Sequence, residues 1–455
     1  MAHVFISAAH KSSGKTTLTL GLAAALARRG LAVQTFKKGP DYIDPMWLGL
    51  ASGRPCRNLD FHMMSCDEIR ASFARHARAA DVSLIEGNKG LYDGLDLHGS
   101  NSNAALAALL GSPVVLVIDA RGMTRGIAPL ILGYQAFDPS IRIAGVILNN
   151  LGGARHEEKL RAVIAHYTGV DVIGAVPHDE RIAIVERHLG LVPSNEAAAS
   201  AGVVEAVREL IEQSVDLDRL LAIAASAAPL PEASAERGAA PAGRRLRVGI
   251  ARDAAFGFYY ADDLEALGEA GAELVPIDTL RADRLPAIDA LVIGGGFPET
   301  QMRALEANEG LRRELADAIE AGLPVYAECG GLMYLARTIS WQGETARMVG
   351  ALPGDAVMHA HPVGRGYARL EGTMDASWLP GGEGEIAAHE FHYASLENLP
   401  SGLRYAYRVA RGHGVDGARD GIVHRNVLAS FCHLRGAGER GWVAPFVEFA
   451  RRQAA

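Results

Sequence analysis

Short apolar runs alternate along this chain with longer stretches of helical period, and Gly, Pro, Asp or Asn punctuate the joins. That alternation is the mark of parallel-sheet α/β architecture. In the first half it predicts strands over His3–Ser7, Ala32–Phe36, Val82–Ile85, Val114–Ile118 and Ile143–Leu148, with a further one at Val172–Ile173. Helical patterns lie between them, Thr16–Arg28 being an example. From Ala222 the period is lost in AIAASAAPLPEASAERGAAPAGRR, whose Ala, Pro, Ser and Gly content predicts a linker over Ala225–Arg245. The strand pattern then restarts with LRVGIARD and continues through ELVPID, ALVIGGG and PVYAECGG. The stretch Ala356–Leu434 is richer in Gly and His and reads as antiparallel strands. The pattern divides into a first domain over 1–224, the linker over 225–245, a second domain over 246–438 and a C-terminal helix over 439–455. No internal repeat is seen.

Composition narrows the class. A chain of 455 residues is too long for one ordinary core, in keeping with two domains. Hydrophobic residues at 49%, charged residues at 22% and a mean hydropathy of +0.07 describe a well-packed globule. A net charge of -8 without a basic run argues against a nucleic-acid partner. No apolar run is long enough for a membrane span, and because the start MAHVFISAAH passes straight into a strand, no secretory leader is expected. Four cysteines without a CxxC pair suit a reducing compartment, so a cytoplasmic location is expected.

Candidate chemistry begins at the first strand. VFISAAHKSSGKTTLTLGL reads as strand, small-residue loop and helix, with Gly14, Lys15, Thr16 and Thr17 at the helix start. Such a turn directs backbone N–H groups toward one point, and the helix dipole adds positive potential there. Lys15 is placed to reach the β- and γ-phosphates of ATP, and the Thr16 hydroxyl to bind Mg²⁺. The usual pattern has Gly five residues before the second Gly, where this chain has Ala9, which is also compact.

Two later strand ends supply carboxylates at the edge of the sheet where such folds bind ligands. KKGPDYIDP offers Lys37, Lys38, Asp41, Tyr42 and Asp44, and EGNKGLYDG offers Glu86 and Asp93. Mg²⁺ takes oxygen ligands, and Asp44 and Glu86 are the candidates to join Thr16. A lone Asp in such a loop is more often a turn or cap residue, but the cluster is harder to dismiss. Asn149, at another strand end, reads either as a contact to the adenine edge or as a turn residue.

In the second domain, LPVYAECGGLMYLA puts Cys329 between a strand and a helix over Leu332–Ala336. A sharp strand-to-helix turn exposes the side chain, and a helix N-terminus favours the thiolate. A nucleophilic Cys needs a base in reach, and His433 in VLASFCHLR, at the end of the last clear strand, is the best-placed histidine. ALVIGGGFPE adds Gly294, Gly295 and Gly296 at a preceding strand end, which with the Gly330 N–H are natural donors to an oxyanion. Cys432 reads as a core neighbour, and Cys56 and Cys66 as incidental.

Taken together, FKKGPDYIDP, IEGNKGLYDG, GGGFPE, AECGGLMYL and HEFHY resemble the cobyrinic/hydrogenobyrinic acid a,c-diamide synthases across nearly the whole chain, in the same order. The first half is similar to the dethiobiotin-synthetase-like branch of P-loop ATPases. The second half is similar to class I glutamine amidotransferases of the cobyrinic type. The resemblance implies a P-loop parallel-sheet domain followed by a flavodoxin-like amidotransferase domain. It also implies ATP- and L-glutamine-dependent amidation of two acetate side chains of a corrinoid tetrapyrrole, with Mg²⁺, and it leaves room for a homodimer. Asp41, Tyr42 and Asp93 would face the corrin. Cobyric acid synthase and a synthase acting on a nickel tetrapyrrole share these domains, and a partitioning or scaffold ATPase with an inactive second domain is the reading from another class. One departure stands out. Many class I amidotransferases carry Glu two residues after the catalytic His, whereas Leu434 and Arg435 follow His433, so the base is oriented by another group or by none.

Overall fold

The computed structural model describes residues 1–179, 186–187, 190–196, 200–229, 244–375, 378, 384–438 and 440–454. It divides into two units, Met1–Glu236 and Arg237–Ala455. The division falls within the span read as a linker, most of which (230–243) lies outside the described residues.

The first unit is built on seven strands: β1 His3–Ala8, β2 Val33–Lys38, β3 Arg57–Leu59, β4 Val82–Glu86, β5 Val114–Asp119, β6 Ile143–Leu151 and β7 Val172–Pro177. They pair in the order β3-β2-β4-β1-β5-β6-β7, every pairing parallel. β1, β2, β4 and β5 are buried at every position, which is why β1, β4 and β5 read as largely continuous apolar runs; β2 (VQTFKK) instead buries polar side chains. The crossovers are α1 Lys15–Arg28, α2 Ile43–Ser52, α3 Cys66–Ala77, α4 Asn103–Leu110, α5 Ile127–Phe137 and α6 Ala154–Tyr167, followed by a short hairpin (β8 Glu186–Arg187, β9 Gly190–Leu191), α7 Ser200–Ser214 and α8 Leu217–Ala225. Local chemistry sets several helix ends. Ser65 and Glu68 form a reciprocal capping box before α3, and Gly53 and Gly111 close α2 and α4 in the left-handed conformation. Because β1 and β4 are neighbours, with Ile6 level with Glu86, the first loop and the acidic loops open on one edge of the sheet.

The second unit carries a ten-stranded mixed sheet. Its parallel part is β10 Leu246–Ala251, β12 Ala272–Ile277, β13 Ala290–Ile293, β15 Val325–Glu328 and β24 Val427–Ser430. Between β10 and β12 lie β11 Phe256–Phe258 and α9 Ala261–Glu269; β11 pairs with β14 Gly295–Gly296 as a small ribbon. α10 Met302–Ala307 and α11 Glu309–Glu320 precede β15, and α12 Gly330–Leu335 follows it, starting two residues before the predicted Leu332. A four-stranded sheet holds β16 Thr338–Trp341, β17 Glu344–Arg347, β18 Asp355–Met358 and β21 Ala394–Glu397. The main sheet is completed by β19 Gly364–Gly372, β20 Glu385–His392, β22 Arg404–Arg411, β23 Arg419–His424 and β25 His433–Leu434, and α13 Val443–Gln453 closes the chain.

The main sheet runs β12-β10-β13-β15-β24-β23-β22-β19-β20-β25. The strands past β24 are antiparallel, as the Gly- and His-rich texture suggested, but β24 itself lies parallel to β15 and β18 parallel to β16. β24 and β25 stand five places apart in this order, yet only Phe431 and Cys432 separate them in sequence. The antiparallel half therefore curls back until β25 returns to the end of β15. On one side, Tyr326, Trp378, Trp442 and Phe446 fill the core, with Tyr326 stacked on Trp442 at 3.9 Å. No helix among the described residues is long and apolar enough to cross a membrane.

Candidate functional sites

In the first unit, β1 delivers the chain to a loop in which Ser12 and Gly14 both take positive φ, and α1 begins at Lys15. Left-handed backbone at Gly14 turns the loop back over the helix start. Its lack of a side chain is needed for a second reason: a Cβ there would lie 2.2 Å from the Asn149 side-chain nitrogen. Asn149 lies inside β6, which runs on to Leu151, and its Nδ2 donates to the Ser13 carbonyl at 3.0 Å. It thus braces the loop from the neighbouring strand. Thr17 is half-buried in the first turn of α1.

Thr16, Asp44 and Glu86 come together from three separate segments. The Thr16 hydroxyl donates to Glu86 Oε1 at 2.6 Å and lies 3.4 Å from Asp44 Oδ2. Lys37, buried at the end of β2, joins them, its Nζ 2.6 Å from Asp44 Oδ2 and 2.9 Å from Glu86 Oε1. Burial opposes the Lys37 charge, but Asp44 and Glu86 overcome it and raise its pKa well above the ordinary lysine value. Burial likewise raises Glu86, against the pull of Lys37. Glu86 Oε2 is buried and makes no hydrogen bond among the described residues. Hard oxygens from Thr16, Asp44 and Glu86, one of them an unmatched buried acceptor, are a donor set that fits a divalent cation beside Lys37. The sequence placed Lys37 in the loop after a strand ending at Phe36 and gave it no role; the structure puts it inside β2, which runs on to Lys38, and nothing local shows that β4 will lie beside it.

The remaining acidic residues are arranged around this cluster. Asp41 Oδ1 accepts the N–H groups of Ile43 and Asp44 at 2.9 and 3.2 Å, so it caps the start of α2 and sets the position of Asp44. Burial and the Asp44 carboxylate push Asp41 up to about 7. Tyr42 is buried as the residue before α2. Asp93 is exposed, and its Oδ2 accepts from Gly90 N at 2.8 Å. Burial and Lys37 lower Lys15, while Glu86, Asp44 and Asp93 partly restore it, which places all of these charges in one electrostatic neighbourhood.

The second unit gathers Cys329, His433 and the glycines. Cys329 sits at φ 48 and ψ −102, a strained conformation for a residue with a side chain, between β15 and α12. Its N–H donates to the Ser430 carbonyl at 2.7 Å, which fixes the turn to β24. His433 is buried, and its Nδ1 lies 3.1 Å from Glu328 Oε2. Burial works against a charged imidazole, yet the hydrogen bonds to Cys329 and Glu328 prevail and raise His433 to about 10. Glu328 was not singled out in the sequence. It stands in AECGG, directly before Cys329, where no periodicity connects it with His433.

The glycines leave room for these groups. A Cβ on Gly295 would lie 2.8 Å from His433 Cε1, and one on Gly330 would lie 3.1 Å from the Gly296 nitrogen. Gly296 and Gly330 are therefore immediate backbone neighbours beside Cys329. Gly294 differs, because its N–H donates to the Tyr259 hydroxyl at 2.9 Å and is not free to act as an oxyanion donor. Cys432 is fully buried, and its thiol faces Glu390 at 3.8 Å, away from exposed chemistry.

Comparison with known proteins decides the family. Residues 5–192 match a model described as the CobQ/CobB/MinD/ParA nucleotide binding domain, and residues 247–440 match the CobB/CobQ-like glutamine amidotransferase domain. A protein of Magnetococcus marinus named cobyrinate a,c-diamide synthase is 48% identical over 98% of this chain and 96% of its own length. The chain belongs to the cobyrinate a,c-diamide synthase family. Similarly named proteins of Methanosarcina acetivorans (44% identical, 98% of this chain, 95% of that protein) and Archaeoglobus fulgidus (40%, 99% and 98%) agree with it throughout. The two family domains coincide with the two sheets described above, so the loop cluster around Lys15 belongs to the nucleotide-binding domain and Cys329 to the amidotransferase domain.

Proposed function

We propose that this chain amidates the a- and c-acetate carboxylates of hydrogenobyrinic or cobyrinic acid, using ATP and glutamine. The observation that carries the reading is the near-full-length likeness to cobyrinate a,c-diamide synthases. A carboxylate is a poor electrophile, so its oxygen first takes the γ-phosphoryl group of ATP, releasing ADP. The Gly14–Thr17 turn and Lys15 hold the phosphates and neutralise charge spread over the transferred group. Thr16, Asp44 and Glu86 would hold Mg²⁺, which supplies charge neutralisation and alignment of the phosphates when bound. Asp41 fixes Asp44, and Asp41, Tyr42 and Asp93 are the residues proposed to face the corrin.

In the second domain the Cys329 thiolate attacks the side-chain amide carbon of glutamine. The C–N bond breaks with a proton delivered from His433, ammonia leaves, and water hydrolyses the thioester to glutamate. The N–H groups of Gly296 and Gly330 are proposed to stabilise the oxyanion, and Gly295 to make room for His433. Ammonia then displaces phosphate from the acyl phosphate, forming the amide. This chemistry requires no nucleic acid or membrane.

The test is turnover of the purified protein with ATP, Mg²⁺ and glutamine on cobyrinic, hydrogenobyrinic and nickel-containing substrates, with products read by mass. Two amidations on a corrin acid are expected. Amidation only of other side chains, or only of the nickel ring, would replace this reading with one of the related synthases. ATP hydrolysis with no glutamate release would favour the scaffold ATPase instead.

A further inference from the structure

The residues after His433 supply no carboxylate, yet a buried one reaches its ring from elsewhere. We propose that Glu328 is the positioning residue of the Cys329–His433 pair, so that the orienting carboxylate comes from the position before the nucleophile instead of two places after the histidine. The inference rests on the amidotransferase reading above and deepens it.

The geometry is that of a held carboxylate. Glu328 Oε2 faces His433 Nδ1 at 3.1 Å, while Oε1 accepts the Tyr326 hydroxyl at 2.5 Å and the Leu434 N–H at 3.0 Å. With its side chain 8% exposed, Glu328 can orient the ring without competition from bulk water. A proton kept on Nδ1 leaves Nε2 as the nitrogen that exchanges a proton with sulfur. The ring plane is set separately. His389, on β20 directly opposite His433, stacks on it with centroids 4.9 Å apart and 20° between planes, and the Tyr260 hydroxyl lies 3.1 Å from His389 Nδ1.

The fold explains how position 328 can do this. β15 and β24 run parallel with Glu328 level with Ser430. Beyond Ser430 the buried Asp420 carboxylate accepts the N–H groups of Phe431 and Cys432 at 3.0 and 2.9 Å, which turns the chain out of β24. The next residue, His433, then enters β25 and returns across the end of β15, above Glu328. Alternation along β15 puts Tyr326 on the same face as Glu328, and its stacking on Trp442 anchors the hydroxyl that holds Oε1. The titratable groups around the pair are Cys329 and Tyr326 from β15 and its turn, His389 from β20, Tyr407 from β22, Asp263 from α9, Tyr259 and Arg435. Asp263 is the other nearby carboxyl, but its Oδ1 accepts the Ala437 N–H at 2.9 Å, beyond the histidine.

A merely structural carboxylate would lower the rate equally at every pH or loosen the fold, whereas a positioning carboxylate sets the charge state of His433. The test is glutaminase activity, read as glutamate release across pH with ATP and corrin acid present, for wild type, Glu328→Gln and Glu328→Asp, with calorimetry as the check on folding. In Glu328→Gln the amide NH₂ must face either Leu434 N–H or His433 Nδ1; facing Nδ1, it forces the proton onto the wrong nitrogen. We expect kcat/KM to fall about 100-fold or more. The alkaline limb, where His433 loses its proton, should move to lower pH than in wild type. Glu328→Asp restores the charge but is one methylene short, so an intermediate rate and a limb closer to wild type are expected. Wild-type rate and limb in Glu328→Gln would overturn the inference. If that variant does not fold, wild-type kinetics in Glu328→Asp would overturn it equally. A wild-type protein that releases no glutamate would overturn the amidotransferase reading itself, and the inference with it.

Discussion

Replacing Lys37 with methionine tests the electrostatic centre of the first unit. The ammonium lies 2.6 Å from Asp44 Oδ2 and 2.9 Å from Glu86 Oε1, with the Lys37 side chain 3% exposed and that of Glu86 fully buried. Methionine keeps most of the volume and removes the charge, so the chief effect is two carboxylates left without their cation. Breaking a buried pair in this way costs about 3–5 kcal/mol. For a unit of this size that lowers the midpoint of thermal unfolding by roughly 6–20 °C. The cost is limited by proton uptake: without Lys37 the Glu86 carboxyl, already raised by burial, moves further above its unfolded value of 4.5. A carboxyl raised in this way supports the fold while protonated, and that support is lost as pH rises through its folded value. Calorimetry of the full chain in chelator should therefore show Lys37→Met weakened more at pH 8 than at pH 5. If Thr16, Asp44 and Glu86 hold Mg²⁺ as proposed, the added ion takes over the lost positive charge, and at a concentration 100 times its Kd it would restore about 2.7 kcal/mol. An unfolding transition that matches wild type and does not change between pH 5 and pH 8 would refute this account of Lys37.

Other substitutions separate the two centres. Cys329→Ala should abolish glutamine-dependent amidation while ammonia-dependent amidation persists, measured as product with saturating glutamine against excess ammonium at mildly alkaline pH. Lys15→Ala should reduce amidation to a trace with either nitrogen donor, since no acyl phosphate forms. Gly295→Ala places a methyl group 2.8 Å from His433 Cε1 and should lower glutaminase kcat at least tenfold without lowering ATP affinity. Asn149→Ala removes the bond to Ser13 O, and a loop loosened by about 1 kcal/mol should raise the KM for ATP roughly fivefold with little change in glutaminase.

Much of the fold was legible because its signals are local. A buried parallel strand is mostly apolar along its length, so β1, β4, β5 and β6 could be placed within a few residues, and a strand–loop–helix turn such as that at Lys15 is written in consecutive positions. The sharp turn at Cys329 was legible for the same reason: flanking small residues and the strand before it announce the bend. The reading was poorer where an end depends on a partner. β6 runs on to Leu151, so Asn149 lies within a strand and not at its tip, and Gly294 lost its assignment as a donor to the Tyr259 hydroxyl.

The sequence by itself determined most of the parallel strands, the strand–loop–helix turn at Lys15, the sharp turn at Cys329 and the set of loops that carry acidic groups. It did so because backbone period, glycine freedom and helix-start chemistry act over a few residues. What the tertiary structure decided is which distant groups meet. Glu328 and His433 are 105 residues apart, and Lys37 and Glu86 are 49 apart. Both pairs exist only because particular strands become neighbours: β2 beside β4 in the first unit, and β25 curling back over β15 in the second. Strand order is chosen by the packing of whole faces against a shared core, a global balance that no local spacing records. The charge states of His433 and Lys37 follow from that choice, since burial and the partner opposite set them together.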